Sequence, residues 1–112
     1  MDKQAVVINK VAWTVTVCEQ EVRVPYQEFM LLAFLAERPG RVVSRSELVS
    51  VLWDGKEPVN ERVVDSYIAR LRRRLGKRGD DVIRTVHKVG YRVVDSSDSG
   101  GPAVVVVSPP GE

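Results

Sequence analysis

The chain has 112 residues, which suffices for one compact domain, and its 44% hydrophobic content supports a core. No apolar run approaches the roughly 20 residues that a membrane-spanning helix requires. The N-terminus lacks the basic-then-apolar pattern of a signal peptide. Cys18 is the single cysteine, which excludes a disulfide framework and a thiolate zinc site. A reducing cytoplasm is therefore the simplest compartment.

The charges are unevenly distributed along the chain. Between Arg62 and Arg92, ten Lys/Arg and three Asp/Glu give +7, whereas the seven basic and twelve acidic residues elsewhere give −5. Such asymmetry is typical of a polyanion-binding face on an acidic body. The alternative is an arginine-rich helix that is only solvated, and the charge split favours nucleic-acid binding over it.

Short alternating segments open the chain and predict antiparallel strands at Ala5–Ile8, Trp13–Val17 and Glu21–Val24. In this register Trp13 belongs to the core, and Pro25 ends the pairing. The side chains expected to face water are Thr14, Thr16, Glu21 and Arg23.

The segment Tyr26–Glu37 is helical in pattern and so apolar that it predicts a helix buried on most sides. Its core positions include Phe29, Leu32 and Leu35, and the breaker at 38–40 ends it. The sequence Ser44-Arg45-Ser46-Glu47 is a capping box, which predicts a short helix that buries Leu48, Val51 and Leu52. A polar loop follows over 54–58.

The predicted helix from Asn60 to Leu75 has two distinct faces. Val64, Ile68, Leu71 and Leu75 form one apolar stripe, since they recur at helical spacing. Roughly opposite the stripe lie Arg62, Ser66, Ala69, Arg70 and Arg73. Asn60 is the expected N-cap, and Gly76 is suited to the left-handed residue after the helix.

The C-terminal third begins with a polar connection at 77–81 and continues as a predicted β-hairpin. Its strands are Val82–Val86 and Tyr91–Val94, and Gly90 in the link is available for a positive φ. We expect a domain over 1–94 and a flexible tail over 95–112, with pairing of Val104–Val107 as an edge strand the alternative.

This order of elements predicts an α+β fold, a winged helix-turn-helix with an N-terminal antiparallel sheet, three helices and a C-terminal hairpin wing. A helix fits the major groove of B-DNA, and a hairpin beside it reaches the backbone or minor groove. Arg62, Ser66, Arg70 and Arg73 could supply the hydrogen-bonding face, because arginine pairs with both phosphate and guanine.

Three separated motifs resemble the OmpR/PhoB-type effector domain of bacterial response regulators. The first comprises Glu28-Phe29, Leu31-Leu32, residues 38–45 and Glu47-Leu48; the second is 62–76; the third is 83–93. The resemblance covers about residues 5–94. It implies a four-stranded N-terminal sheet, three helices, a hairpin wing, and activation or repression of transcription.

The resemblance also implies roles for individual residues. Arg70 is the leading base-reading residue, with Ser66 and Arg73 beside it. His87 and Lys88 belong to the wing tip that enters the minor groove. The expected phosphate contacts are Arg62, Tyr67, Arg72, Arg74, Trp53 and Thr85. Trp53 is equally compatible with packing, and we expect Asp65 to form a positioning ion pair with Arg62 or Arg72.

Several positions depart from the family's pattern. Pro25 stands where Ser or Thr usually caps the first long helix, and Ala69 replaces a common arginine. His87 replaces a frequent minor-groove arginine, so contact there is expected to be pH-sensitive. The loop 54–60 is short for a polymerase-contacting loop. With no receiver sequence present, both an excised domain and a free-standing winged helix fit.

The expected partner is double-stranded DNA, with RNA polymerase as a family partner and no membrane. The chain is expected to be a monomer in isolation and a head-to-tail pair on DNA. The alternative function is a protein-interaction winged helix that contacts RNA polymerase or another regulator. The sequence offers no nucleophile–base pair, metal cluster or phosphate-cradling loop, so neither enzyme activity nor a cofactor is expected.

Overall fold

The computed structural model describes residues 5–52, 60–95, 98 and 101–110. The first strands are β1 Val6–Asn9, β2 Thr14–Val17 and β3 Gln20–Val22. Then follow α1 Tyr26–Ala36, β4 Val43–Ser44, α2 Arg45–Leu52 and α3 Glu61–Arg74. A 3-10 turn at Gly76–Arg78 leads to α4 Gly79–Val82, β5 Ile83–Val86, β6 Gly90–Val93 and β7 Val104–Val107.

The strands of the described residues form two sheets. The larger has the order β3-β2-β1-β7, and the smaller has the order β4-β6-β5. All pairs are antiparallel except β1 with β7, which is parallel. The predicted α+β winged fold is confirmed, with α2 and α3 as the helix-turn-helix and β5–β6 as the wing.

The fourth strand of the larger sheet comes from the C-terminal tail, where the sequence favoured flexibility. Strand β7 lies beside β1, with Val6 opposite Val104 and Asn9 opposite Val107. Val104 and Val106 pack against the core. The Ser, Gly and Pro residues before β7 favour a flexible tail, and composition does not show that the edge of β1 is free to pair with a later strand.

A bidentate ion pair ties the tail to the wing. Arg92 on β6 donates from Nη1 to Asp98 Oδ2 at 2.9 Å and from Nη2 to Oδ1 at 3.0 Å. These bonds, with that from the Asp95 amide, hold the pKa of Asp98 well below its usual range. Arg92 faces Arg84 across the hairpin, so the carboxylate also offsets a like-charge pair.

Helix α1 is the centre of the core, as its apolar pattern predicts. Phe29, Leu31, Leu32 and Leu35 are all buried, and the helix packs against α2, α3 and β6. Among the described residues, no helix is both long enough and apolar enough to cross a membrane.

The core position predicted for Trp13 is wrong. The Asn9 side chain accepts hydrogen bonds from the amides of Val11 and Ala12, both at 2.9 Å, and builds a turn in which Trp13 has φ +58°. Because β2 begins only at Thr14, Trp13 leaves the alternation and is 54% exposed. Its ring lies over Phe29 and Tyr26, at centroid distances of 5.0 and 5.8 Å.

The ends of the two helices of the helix-turn-helix follow their sequence signals. The Glu47 amide donates to Ser44 Oγ at 3.1 Å, which is half of the predicted capping box, while the Glu47 carboxylate accepts from Arg41. Asn60 caps α3 by accepting from the Arg62 amide at 2.8 Å. Gly76 has φ +77°, as predicted after the helix.

Two local predictions in the C-terminal third are corrected. The connection at 77–81 is not a loop but the 3-10 turn and α4. In the hairpin link, the positive φ of +67° belongs to Lys88 and not to Gly90. Gly90 is needed for space, because a Cβ there would lie 2.0 Å from the carbonyl oxygen of Val43 on β4.

Candidate nucleic-acid interface

Helix α3 separates its apolar and polar side chains as the spacing predicts. Val64, Ile68 and Leu71 are buried against the core, as is Leu75 just after the helix. The residues predicted to lie opposite the stripe are all exposed, namely Arg62, Ser66, Ala69, Arg70 and Arg73. Glu61 and Val63 in the first turn are exposed as well. The helix therefore presents a hydrogen-bonding, cationic surface to solvent. Burial of the apolar stripe determines that this surface faces outward.

Arg70 and Arg73 are the guanidinium groups on this surface that are best placed to bind a ligand. Within the described residues, neither side chain makes an ion pair or a hydrogen bond to the protein. Arg70 lies near the ring of Tyr67, with its Cζ 5.4 Å from the ring centroid. An aromatic neighbour at this distance limits where the guanidinium points without neutralising it.

Arg62 and Ser66 lie on the same exposed surface, one turn apart. The Ser66 hydroxyl donates to the Arg62 carbonyl oxygen at 3.3 Å, a weak intrahelical bond that solvent or a ligand can replace. Together with Arg70 and Arg73 they form a continuous stripe along the helix, since positions 62, 66, 70 and 73 recur every three or four residues. The structure thus brings the predicted base-reading residues together on one exposed face.

Arg72 and Thr85 are partners of one another. Arg72 donates to the Ile83 carbonyl from Nε at 3.1 Å and from Nη2 at 2.7 Å, and Nη2 also lies 2.7 Å from Thr85 Oγ1. These bonds join the C-terminal half of α3 to strand β5. The phosphate contacts predicted for both residues remain predictions, and the structure adds a role in holding the wing against α3.

Arg74, another predicted phosphate contact, is paired within the protein. Its Nε donates to Glu28 Oε1 at 2.6 Å, and its Nη1 donates to the carbonyl of Arg23 at 3.3 Å. Glu28 lies on α1 and is only 2% exposed. The guanidinium is therefore committed to a buried carboxylate at the α1–α3 contact, and phosphate binding would have to compete with that pair.

Asp65 is paired with Arg45 of α2, not with Arg62 or Arg72 as expected. Arg45 donates to Asp65 from Nε at 3.1 Å and from Nη2 at 2.7 Å, and Tyr91 of β6 donates its hydroxyl to Asp65 Oδ1 at 2.7 Å. One carboxylate thereby connects α2, α3 and the wing. The sequence predicts that Asp65 forms an ion pair but does not identify Arg45 as the cation, because Arg45 stands out only by its place inside the capping box.

Burial raises the pKa of Tyr91 to about 12, and its hydrogen bond to Asp65 adds to the shift. The unfolded chain loses this proton at lower pH than the folded chain, so the free energy of unfolding should fall between about pH 10 and 12. Urea unfolding measured across that pH range should show a smaller fall in the free energy of unfolding for Tyr91→Phe than for the wild-type chain. Tyr26→Phe, which leaves the Asp65 contacts intact, is the control; equal slopes for all three proteins would contradict the assignment.

The wing tip is exposed and partly basic. His87, Lys88 and Val89 form the link between β5 and β6, and the Val89 amide donates to the Val86 carbonyl at 2.9 Å. The His87 and Lys88 side chains extend into solvent beside the exposed surface of Thr85. Trp53, the remaining predicted phosphate contact, lies outside the described residues.

The combined surface has the properties of a site for an extended anion. Among the described residues, no group of three or more His, Cys, Asp or Glu side chains is arranged to hold a metal ion. Most basic residues between 62 and 92 lie on α3 and the wing, and Lys77 and Arg78 lie in the 3-10 turn between them. Hydrogen bonds of Arg72 and Asp65 fix α3 and the wing relative to one another. A rigid cationic helix with an adjoining hairpin matches a groove and its flanking backbone.

Comparison with known proteins places residues 19–93 in the family described as the C-terminal domain of transcriptional regulatory proteins. The phosphate regulon transcriptional regulatory protein PhoB of Rhizobium meliloti is 48% identical over 73 residues, covering 64% of this chain and 32% of PhoB. The chain thus spans about a third of that relative.

Two solved DNA-binding domains have structures similar to that of this chain. The DNA-binding domain of CpxR from E. coli has a TM-score of 0.70 and 28% identity, covering 87% of this chain and 97% of the CpxR chain. That of Klebsiella pneumoniae RstA, solved in complex with the RstA box, has a TM-score of 0.63 and 29% identity, covering 78% of this chain and 88% of the RstA chain. This chain belongs to the OmpR/PhoB-type C-terminal DNA-binding domains of transcriptional regulatory proteins.

Proposed function

We propose that this chain binds its double-stranded DNA site with α3 in the major groove and Arg70 as the main base-reading residue. The observation that carries the proposal is the exposed guanidinium of Arg70, without an internal partner among the described residues, opposite a buried apolar stripe. Arginine in this position can donate two parallel hydrogen bonds to guanine. Ser66 and Arg73, on the same face, read the neighbouring base pairs.

The remaining contacts position the domain on the duplex. Arg62 near the start of α3 and Tyr67 on its flank are placed to contact phosphates, and Thr85 is an exposed residue of the wing strand β5. His87 and Lys88 at the wing tip enter the adjacent minor groove. Because lysine contacts phosphate as a point charge and does not distinguish bases, the wing contributes affinity more than sequence discrimination.

The setting of this activity follows from the family. We infer that the domain acts on the chromosome in the bacterial cytoplasm and pairs head to tail on direct repeats, with RNA polymerase as a further partner. The described basic residues are concentrated on α3, the helix whose shape matches the major groove, whereas α1 is buried. This distribution supports DNA binding over the alternative of a protein-docking winged helix.

Salt dependence tests the proposal. If several phosphates are contacted, log affinity for DNA should fall steeply and linearly with log salt concentration, as fluorescence anisotropy can measure. Lys88→Ala should weaken selected and random DNA alike and reduce the salt slope by about 1. Lys10→Ala, at a lysine that directly follows β1 and lies outside α3 and the wing, is the control. Absence of binding to any DNA at low salt would contradict the proposal.

A further inference from the structure

Strand β7 is the outermost strand of the larger sheet, and among the described residues β1 is the only strand that pairs with it. Val104 and Val106 pack inward, whereas Val105 is 48% exposed and Val107 is 38% exposed. The DNA-binding surface on α3 and the wing does not use this strand. An exposed apolar edge strand therefore stands outside the function proposed above.

The backbone hydrogen bonds of the described residues show which groups of β7 are free. The carbonyl of Ala103 accepts from the Val6 amide at 2.8 Å, and that of Val107 accepts from the Lys10 amide at 2.7 Å. Since backbone groups alternate in direction along a strand, residues 103, 105 and 107 direct theirs to β1. Val104 and Val106 consequently direct their N–H and C=O groups to the open edge.

This edge lacks the features that usually prevent strand addition. Natural edges are protected by lysine, by proline or by a bulge, and β7 is a regular run of valines that contains none of them. The prolines of this segment all stand outside the strand, at Pro102, Pro109 and Pro110. The edge is thus open for pairing over a short, defined length.

We propose that β7 is a self-association surface, on which a second copy of this chain pairs antiparallel through its own β7. Val104 of each copy lies opposite Val106 of the other, and each such pair exchanges both of its N–H···O bonds. Val105 then lies on the twofold axis, facing Val105 of the second copy. The free edge groups set this register, and Pro102 ends the ladder because it has no N–H to donate to Ser108 of the second copy.

The occupant is a second copy because the edge is complementary to itself. An all-valine strand has the same sequence in both directions, so antiparallel pairing places valine against valine at each position. The strand carries no charge, which removes repulsion between copies and offers no ion pair to a charged peptide. An isologous contact of this kind closes as a dimer and does not propagate.

The dimer is weak, because so short a strand pair buries far less than the roughly 1,200 Å² of a standard interface. We expect dissociation constants in the range of about 0.1–1 mM, so the chain is monomeric when dilute. Sedimentation velocity of the complete chain over a concentration series through that range should show a reversible monomer–dimer equilibrium.

Charge substitutions on the twofold axis test the contact directly. Val105→Lys and Val105→Glu should each weaken self-association at least tenfold, and an equimolar mixture of the two should recover a heterodimer. Val105→Thr, of similar shape and uncharged, is the control and should retain most of the association. Val106→Pro removes an edge N–H that does not bond to β1, so it should also weaken the dimer.

Hydrogen exchange at the amides of Val6 and Lys10, which donate to the β7 segment, reports whether the strand stays docked in each variant. Protected amides together with lost association support the edge contact. A monomer at all concentrations would overturn the proposal. So would a dimer that Val105→Lys leaves intact, or a mixture without preferential heterodimer, since these point to another surface or to exchange of β7 between copies.

Discussion

Replacing Arg70 with alanine should weaken binding to the specific DNA site by roughly 10- to 100-fold while changing affinity for random DNA only slightly. A bidentate arginine–guanine contact is worth about 1–3 kcal/mol of discrimination against a wrong base. Arg70 is exposed and makes no ion pair within the described residues, so its removal costs the fold little. Anisotropy titrations on matched specific and scrambled duplexes measure both affinities.

Two further variants separate base reading from charge. Arg70→Lys keeps the cation but loses the planar fork, so specificity should fall nearly as far as in Arg70→Ala. Arg23→Ala removes an exposed arginine outside the basic segment and should leave both affinities unchanged. If Arg70→Ala lowered specific and random binding by the same factor, Arg70 would be a phosphate contact, and the base-reading role would pass to Ser66 or Arg73.

Removing Arg74 should destabilise the fold by about 3 kcal/mol, which is the cost of leaving a buried carboxylate without its partner. Glu28 is 2% exposed, and Arg74 Nε lies 2.6 Å from its Oε1. Arg74→Met, followed by urea unfolding at pH 7, measures the loss. The double variant Glu28→Met/Arg74→Met should recover much of it, because the uncompensated charge is then gone.

An exposed ion pair provides the control. Arg41→Ala breaks the contact of Arg41 with Glu47, in which both side chains are well exposed, and should cost less than about 1 kcal/mol. If Arg74→Met were as mild as Arg41→Ala, the buried pair would contribute little, and Arg74 would be available for the phosphate contact that the family resemblance implies.

The features that the sequence predicts well are those that depend on neighbours along the chain. The stripe of Val64, Ile68 and Leu71 follows from helical periodicity, and the Asn60 cap and the Gly76 conformation follow from local backbone chemistry. Because the helical periodicity and the capping signals indicate the same helix, the orientation of α3 and the exposure of Arg70 can both be predicted without knowledge of any tertiary contact.

The features that the sequence does not predict depend on partners distant in the chain. Arg74 and Asp65 both lie on α3, yet their carboxylate and guanidinium partners are on α1 and α2. Periodicity shows only that each is beside the apolar stripe. Glu28, a charge within an apolar helix, does signal a buried partner, but which of the arginines it binds is set by packing.

Distant or local backbone contacts also account for the two incorrect expectations in the larger sheet, the burial of Trp13 and the flexibility of the tail. Alternation placed Trp13 in the core, whereas the Asn9 turn displaces it by starting β2 one residue later. Strand β7 was obscured because its partner, β1, is separated from it by nearly the whole chain. A parallel edge pairing of this kind leaves no local signal beyond a run of valines.

The most direct test of the central claim is selection of binding sites from a random double-stranded DNA pool by this chain. We expect enrichment of one sequence motif that contains a guanine. When the selection is repeated with Arg70→Ala, that guanine should be lost from the consensus. The wild-type chain should then prefer the selected site to random DNA by about a thousandfold or more at physiological salt. Recovery of no motif, with equal affinity for all duplexes, would contradict sequence-specific reading by α3.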